Sequence, residues 1–280
     1  MKKRSKLRLQ QVSVSGTVMV CLLLTITVIP FYVMLVGAFK PNMSLIQIPT
    51  DLNPFTNLTL KNMKAVFEKA DILLWMKNSL IISLSVAALT AIIGVTAGYA
   101  FAKIRFRGKN ILFTLVMATL MIPKQMLLIP NFLVANSLGL VNTLIGVILT
   151  TIAPAFGVFL SRQFISSLPN TLFDAAEIDG CSEPGKFFRI ALPLSLPAVG
   201  TIAIFSFFTS FNDYVWQLIM ISDKKLQTLP IGLAFFGEKM FNNSAAQMAL
   251  ALLATVPLVI LFVVCQKFFI KGATVGAVKG

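Results

Sequence analysis

Long apolar runs separated by short polar stretches dominate the chain. A helix needs about 20 apolar residues to cross the hydrocarbon core of a bilayer. The runs that qualify are approximately 14–39, 78–102, 109–134, 143–161, 197–222 and 245–268. The stretch from Gln125 to Ser161 carries no charge and is too long for one helix. Asn136, Gly139 and Asn142 mark the break within it, because Asn and Gly favour turns. The pattern predicts an all-α polytopic membrane protein, a single domain over 1–280 with six transmembrane helices. Prolines at 30, 123, 130, 154, 197 and 257 punctuate these spans. In a membrane helix a proline is tolerated where neighbours satisfy the freed carbonyl.

Charge orients the spans. The chain has 24 Lys and Arg against 10 Asp and Glu, and only 12% of its residues are charged. The bases lie at the ends of apolar runs and form no soluble basic face of the kind that binds nucleic acid. One side of the predicted topology collects 15 of them: the tail from Lys2 to Arg8, the cluster Lys103 to Lys109, Arg162, Lys186, Arg189 and the final lysines. The other collects 9, of which five lie in or beside the long segment between the first two spans. Short loops richer in Lys and Arg stay in the cytoplasm. Both termini and the loop 162–196 are therefore expected in the cytoplasm, and segments 40–77 and 223–244 outside. The uncharged run from Leu9 to Phe39 exceeds the roughly 7–15 residues of a signal peptide core, so it reads as an uncleaved first span.

Chemistry-bearing residues are sparse. There is no His, and Cys21, Cys181 and Cys265 are isolated in sequence. No zinc spacing, disulfide framework or paired acid and base inside a span is present, so no catalytic or metal site is expected. Four of the ten acids, Asp174, Glu177, Asp179 and Glu183, cluster in the loop between the fourth and fifth spans. Thr171 is placed to cap a helix starting at Leu172, with Asp174 reaching back. Gly180 supplies a left-handed helix end. Ser182-Glu183-Pro184 starts a second short helix. The product is a short cytoplasmic helix whose face contains Leu172, Ala175, Ala176 and Asp179. Helices that lie on lipid usually carry Lys and Arg on the polar face, and this one carries acids. It is expected to dock on protein.

These residues resemble a known family. Asp174-Ala175-Ala176, then Gly180, then Ile190-Ala191-Leu192-Pro193 is similar to the EAA loop of permease subunits of binding-protein-dependent ABC importers. Asp174 stands where that family usually has Glu, one methylene longer. Asp179-Gly180-Cys181-Ser182, Asn212-Asp213 with Trp216, Thr228-Leu229-Pro230-Ile231-Gly232, Gln266 to Gly272 and the ending Gly276-Ala277-Val278-Lys279-Gly280 resemble its carbohydrate branch, the maltose-type second permease. The resemblance implies a bacterial or archaeal cytoplasmic-membrane subunit that forms half of a sugar pathway by alternating access. It implies a second homologous permease, two ATPase subunits or domains that bind ATP and Mg, and an extracytoplasmic solute-binding protein. No Gly-rich phosphate loop occurs here, so ATP falls to the partner chain and this chain is not an enzyme. The expected coupling residues are Asp174, Ala175, Ala176, Glu177, Asp179, Gly180 and Pro193.

Substrate-pathway candidates come from the fifth span. Asp213 is the one acid inside a predicted span, and an intramembrane ionisable group is a functional candidate by default. Asn212 both donates and accepts hydrogen bonds, as sugar hydroxyls require. On a continuous helix Trp216 shares the face of Asn212 and offers a ring to a sugar face, with Tyr214 pointing elsewhere. Two alternatives differ in kind. A permease of the same family for a solute such as glycerol phosphate predicts a basic pathway residue. An ion-coupled secondary transporter predicts paired intramembrane charges and inverted repeats. The sugar itself is not legible.

Overall fold

In the computed structural model, residues 14–41, 52–152, 154–239 and 243–277 are described, and all regular structure among them is helical. The N-terminal basic tail and the last three residues lie outside them. The chain divides into two compact units, residues 1–69 with 237–253, and residues 70–236 with 254–280.

In the first unit, α1 (Val14–Ala38) presents exposed Leu, Ile and Val along most of its length, as a lipid-facing helix does. Past its end, the buried Lys40 ammonium donates to the carbonyls of Asn53 at 2.6 Å and Thr56 at 2.5 Å. Asn62, on α2 (Lys61–Lys69), donates its side-chain amide to the carbonyls of Ala38 and Lys40 at 3.0 and 2.7 Å. These bonds hold the segment after α1 against α2.

The second unit is organised around α3 (Ile72–Lys103), 32 residues without a proline. It packs chiefly against α7 (Pro154–Ser166) and α11 (Leu196–Phe211). Close approach of α3 and α7 requires glycine. A β-carbon at Gly94 would lie 2.8 Å from the backbone of Gly157, and one at Gly98 would lie 2.4 Å from the Ser161 β-carbon. Small residues at such crossings are the usual device of membrane helices.

The spans differ from the expectation in a consistent way. Three helices, α1, α3 and α14 (Ser244–Ala277), are each long and apolar enough to cross a membrane, and up to six spans result if each bent pair counts as one. The predicted run 109–134 is broken. α4 (Lys109–Thr119) meets the segment Lys124–Ser137, which contains α5 (Leu128–Ser137), at 92°. Pro123 sits between them at φ −59°, ψ 129°, outside the helical region. The predicted run 143–161 is split into α6 (Leu144–Thr151) and α7, at 44°. The predicted run 197–222 ends at Phe211, and a separate α12 (Tyr214–Met220) follows. There Asp213 leaves the helical region at ψ 91° and its carboxylate caps the new helix, accepting from the Trp216 amide at 3.3 Å. Local capping chemistry at this position competes with helix continuation.

Two apolar clusters hold α3, one near its middle and one toward its C-terminal end. Ile82 and Val86 join Val147, Ile148, Trp216 and Met220 in one. Val95 and Tyr99 join Ile165, Phe173, Phe187 and Ala191 in the other.

Candidate functional site

The acidic loop folds as the second cluster dictates. α8 (Asn170–Ile178) starts two residues before the expected Leu172, with Pro169 at the cap position and no side-chain cap. Thr171 therefore lies within the helix and does not cap it. Its place as tether is taken by Lys103, whose ammonium donates to the Leu168 carbonyl at 2.8 Å and to Asn170 Oδ1 at 2.7 Å. The same ammonium lies 4.6 Å from the centre of the Phe173 ring, a cation–π contact. Phe173 is the buried anchor of α8, with its ring centre 6.3 Å from that of Tyr99.

The helix ends as expected. Gly180 has φ +73°, the Cys181 amide donates to the Ala176 carbonyl at 2.9 Å, and the Gly180 amide to the Glu177 carbonyl at 3.0 Å. This pair of bonds is the Schellman closure that satisfies the last carbonyls. The second short helix, α9 (Glu183–Lys186), starts with the Ser182 hydroxyl accepting from the Gly185 amide. A π-helical turn, Phe187–Ala191, leads to α10 (Leu192–Leu194), which contains Pro193. A 74° bend at Ser195 then redirects the chain into α11.

Two of the four loop acids are tied within the chain. The Lys186 ammonium, buried against the loop, meets Glu177 at 2.9 Å and Glu183 at 2.8 Å. Tyr99 Oη donates to the other oxygen of Glu183 at 2.9 Å. Hydrogen bonding from Lys186 chiefly, helped by Tyr99, holds the Glu183 carboxyl below its ordinary range. The Glu183 and Glu177 hydrogen bonds in turn push the Lys186 ammonium above its own. Asp174 faces the Lys103 charge. Among the residues that α8 leaves exposed are Thr171, Leu172, Asp174, Ala175, Glu177 and Ile178, followed by Asp179, with Ile178 at 87% exposure. A cleft of about 860 Å³ runs beside this helix, walled by Tyr99, Lys103, Lys109, Asp174, Glu177 and Lys186.

Sequence reading missed Tyr99, Lys103 and Lys186 as parts of this site, counting the two lysines as membrane-flanking charge. The three-residue spacing of Glu183 and Lys186 was a legible helix-pair signal. The reach of α3 into the loop had none.

The pathway candidates separate. Asn212 is exposed and donates its side-chain amide to the Phe208 carbonyl at 2.8 Å. Asp213 is half-buried at the break. Trp216 is buried, and its indole N–H donates to Thr150 Oγ1 at 2.9 Å. Because the helix breaks at 212–213, Trp216 does not continue the face of Asn212.

Comparison with known proteins now decides the class. Residues 91–275 match the family described as binding-protein-dependent transport system inner membrane component. The chain belongs to that family. As a permease of this kind it is 40% identical to the arabinooligosaccharides transport system permease protein AraQ of Halalkalibacterium halodurans, over 91% of this chain and 92% of that one. It is 37% identical to the Bacillus subtilis protein of the same name, over 90% of each. The permease fold also superposes on a solved bacterial ABC transporter involved in the import of the acidic polysaccharide alginate. The TM-score is 0.79 at 21% identity, covering 93% of this chain and 98% of that one.

Proposed function

We propose that this permease is one of two pathway-forming subunits of an ATP-driven carbohydrate importer, acting on oligosaccharides. The observation that carries the reading is its near full-length likeness, at 40% identity, to a permease of arabinooligosaccharide transport. Six spans are formed by α1, α3, the bent pairs and α14, with both termini and the loop 162–196 in the cytoplasm. A second homologous permease, two ATPase subunits that bind ATP and Mg, and an extracytoplasmic solute-binding protein complete the assembly.

In this reading α8 is the coupling helix. Its exposed face of Leu172, Ala175 and Ile178 rimmed by Asp174 and Asp179 supports docking in a groove of the ATPase. Ala176 lets the helix lie close, and Glu177, held by Lys186, passes load to the rest of the loop. Gly180 and Pro193 set the angles at which the loop leaves and returns. Closure of the ATPases on ATP moves α8, and the spans re-pack around the pathway. Asn212 and Asp213 lie at a break that suits a polar pathway, with Trp216 acting by fixing α12 through Thr150.

The test is uptake into proteoliposomes holding the full complex with its binding protein. Labelled neutral oligosaccharide should enter only with ATP, and vanadate should stop it. Entry without ATP, or entry indifferent to vanadate, favours the ion-coupled reading. Entry of glycerol phosphate but of no saccharide favours the other solute class.

A further inference from the structure

The turn between α3 and α4 gathers bases without acids. Lys109 opens α4, and its ammonium turns back to the end of α3. It donates to the Ile104 carbonyl at 2.9 Å and to the Ala102 carbonyl at 3.4 Å. Arg105 follows Ile104 directly. It shares with Lys109 the wall of a shallow recess of about 430 Å³, together with Phe106, Gly108, Asn110 and Ile111. Arg162 comes to the same place from α7. Its guanidinium lies 3.7 Å from the centre of the Phe113 ring, and Phe113 stands one helical turn beyond Lys109 on the same face of α4. Phe101 of α3 closes the group, its ring centre 5.8 Å from that of Phe106 and 5.5 Å from that of Phe113.

Among the described residues, none of Arg105, Arg107, Lys109 and Arg162 is in an ion pair with a carboxylate. The acids that wall the neighbouring cleft are engaged elsewhere: Lys186 holds Glu177 and Glu183, and Asp174 faces Lys103. Like charges brought this close repel, and a bound anion removes that cost. Ammonium and guanidinium groups are donors only, which suits phosphate oxygens.

The surface beside the recess is apolar. α4 buries none of its residues, and Ile111, Leu112 and Leu115 are exposed, as is Phe106. The bases therefore stand where two apolar helices end, at the level of lipid headgroups. A free phosphate or an acidic protein surface answers the charges and leaves the apolar strip unmatched. An anionic lipid answers both, with its phosphate on the bases and its chains on the strip.

We propose that the α3–α4 turn, with Arg162 of α7, is a binding site for an anionic phospholipid. The phosphate sits at Arg105, Lys109 and Arg162, and the chains run along Ile111, Leu112 and Leu115. The proposal needs a permease that spans the membrane; it is independent of the solute carried and of the coupling to an ATPase.

The test uses the full complex in lipid nanodiscs, made free of cysteine except for Leu115→Cys, which carries a bimane fluorophore. Leu115 lies about 9 Å along α4 from Lys109, at the depth of bromines placed on lipid chains, which quench by contact. Brominated phosphatidylglycerol in plain phosphatidylcholine should quench more strongly than brominated phosphatidylcholine in plain phosphatidylglycerol at the same mole fraction. A base near a membrane surface contributes about fivefold in affinity for anionic lipid, so Arg105→Gln should lower the preference about fivefold and Arg105→Lys should keep most of it. Arg105 is exposed, so neither change threatens the fold. Equal quenching by the two lipids overturns the site, because it marks ordinary lipid contact. Quenching by neither overturns it too, because protein then covers the strip. Relief of quenching by inorganic phosphate, beyond a chloride control of equal ionic strength, assigns the recess to free phosphate and overturns the lipid. An unchanged preference in Arg105→Gln removes the residue assignment. Saccharide uptake by the unlabelled complex tests the carbohydrate reading separately.

Discussion

Lys103→Met isolates the tether of the acidic loop. The Met side chain keeps most of the apolar stem, so packing on Phe173 largely survives while the charge is lost. Two charge-assisted hydrogen bonds disappear, to the Leu168 carbonyl and to Asn170, with the cation–π contact to Phe173. A bond to a charged group is worth about 1.5–3 kcal/mol when shielded, and less where water competes. The Asn170 bond is exposed and counts at the bottom of that range. A cation–π contact at such a site adds about 0.5–1 kcal/mol. The freed carbonyl and amide regain water, so a net loss of about 2 kcal/mol is expected, or about 30-fold in the local opening equilibrium. α8 has no side-chain cap of its own to compensate. Hydrogen–deuterium exchange of the purified permease should therefore show faster exchange confined to the 170–180 segment, with α3 and α7 unchanged. In proteoliposomes the same variant should hydrolyse more ATP per saccharide delivered. Unchanged exchange in 170–180, or acceleration spread equally over α3 and α7, would refute the tether.

Other changes test other joints. Gly180→Val forces a β-branched residue to φ +73° with no atom within 4 Å of its β-carbon. The cost is backbone strain alone, about 1–2 kcal/mol, and uptake per ATP should fall, whereas Gly180→Asn should retain most of it because Asn tolerates this region. Thr150→Val leaves the buried Trp216 N–H without its acceptor, costing about 1–3 kcal/mol, read as a lower unfolding temperature in detergent. Gly94→Val drives its side chain into the Gly157 backbone and should cost about 3 kcal/mol or more by the same measurement. If Gly94→Val melts like the native protein, the α3–α7 approach is wrong.

The sequence reading succeeded where the signal was local. The left-handed glycine at 180, the Ser182 cap and the helical class all follow from residues within a few positions of one another. It failed where a helix continues by hydropathy and stops by geometry. The run 197–222 is apolar enough for one helix, yet Asp213 caps a new one, and nothing in the apolar count weighs that capping bond. The same count hides the 92° bend at Pro123, because membrane helices also accept prolines without breaking. Lys103, Tyr99 and Lys186 were hidden for another reason. Their partners lie far along the chain or, for Lys186, behind a charge that also fits the flank of a membrane span.

α3 has a property that the broken helices lack. At one end, the side-chain amide of Asn78 donates to the Lys225 and Gln227 carbonyls at 3.0 and 2.9 Å. Ser79 Oγ accepts from the Leu229 amide at 2.8 Å, and the Trp75 ring lies so close to Gly232 that a β-carbon there would come within 2.2 Å of it. At the other end Tyr99 and Lys103 grip Glu183 and the start of α8. Between them the Gly94 and Gly98 crossing locks α3 to α7. α1 and α14 contain Pro30 and Pro257, and the other candidate spans are bent pairs, whereas α3 runs unbroken. A proline or a break absorbs displacement as a local change of angle. A continuous helix held at both ends carries it as a rigid body. If α8 receives the stroke of the ATPases, α3 delivers it across the second unit, and the breaks at Pro123 and at Asp213 are where the surrounding helices yield.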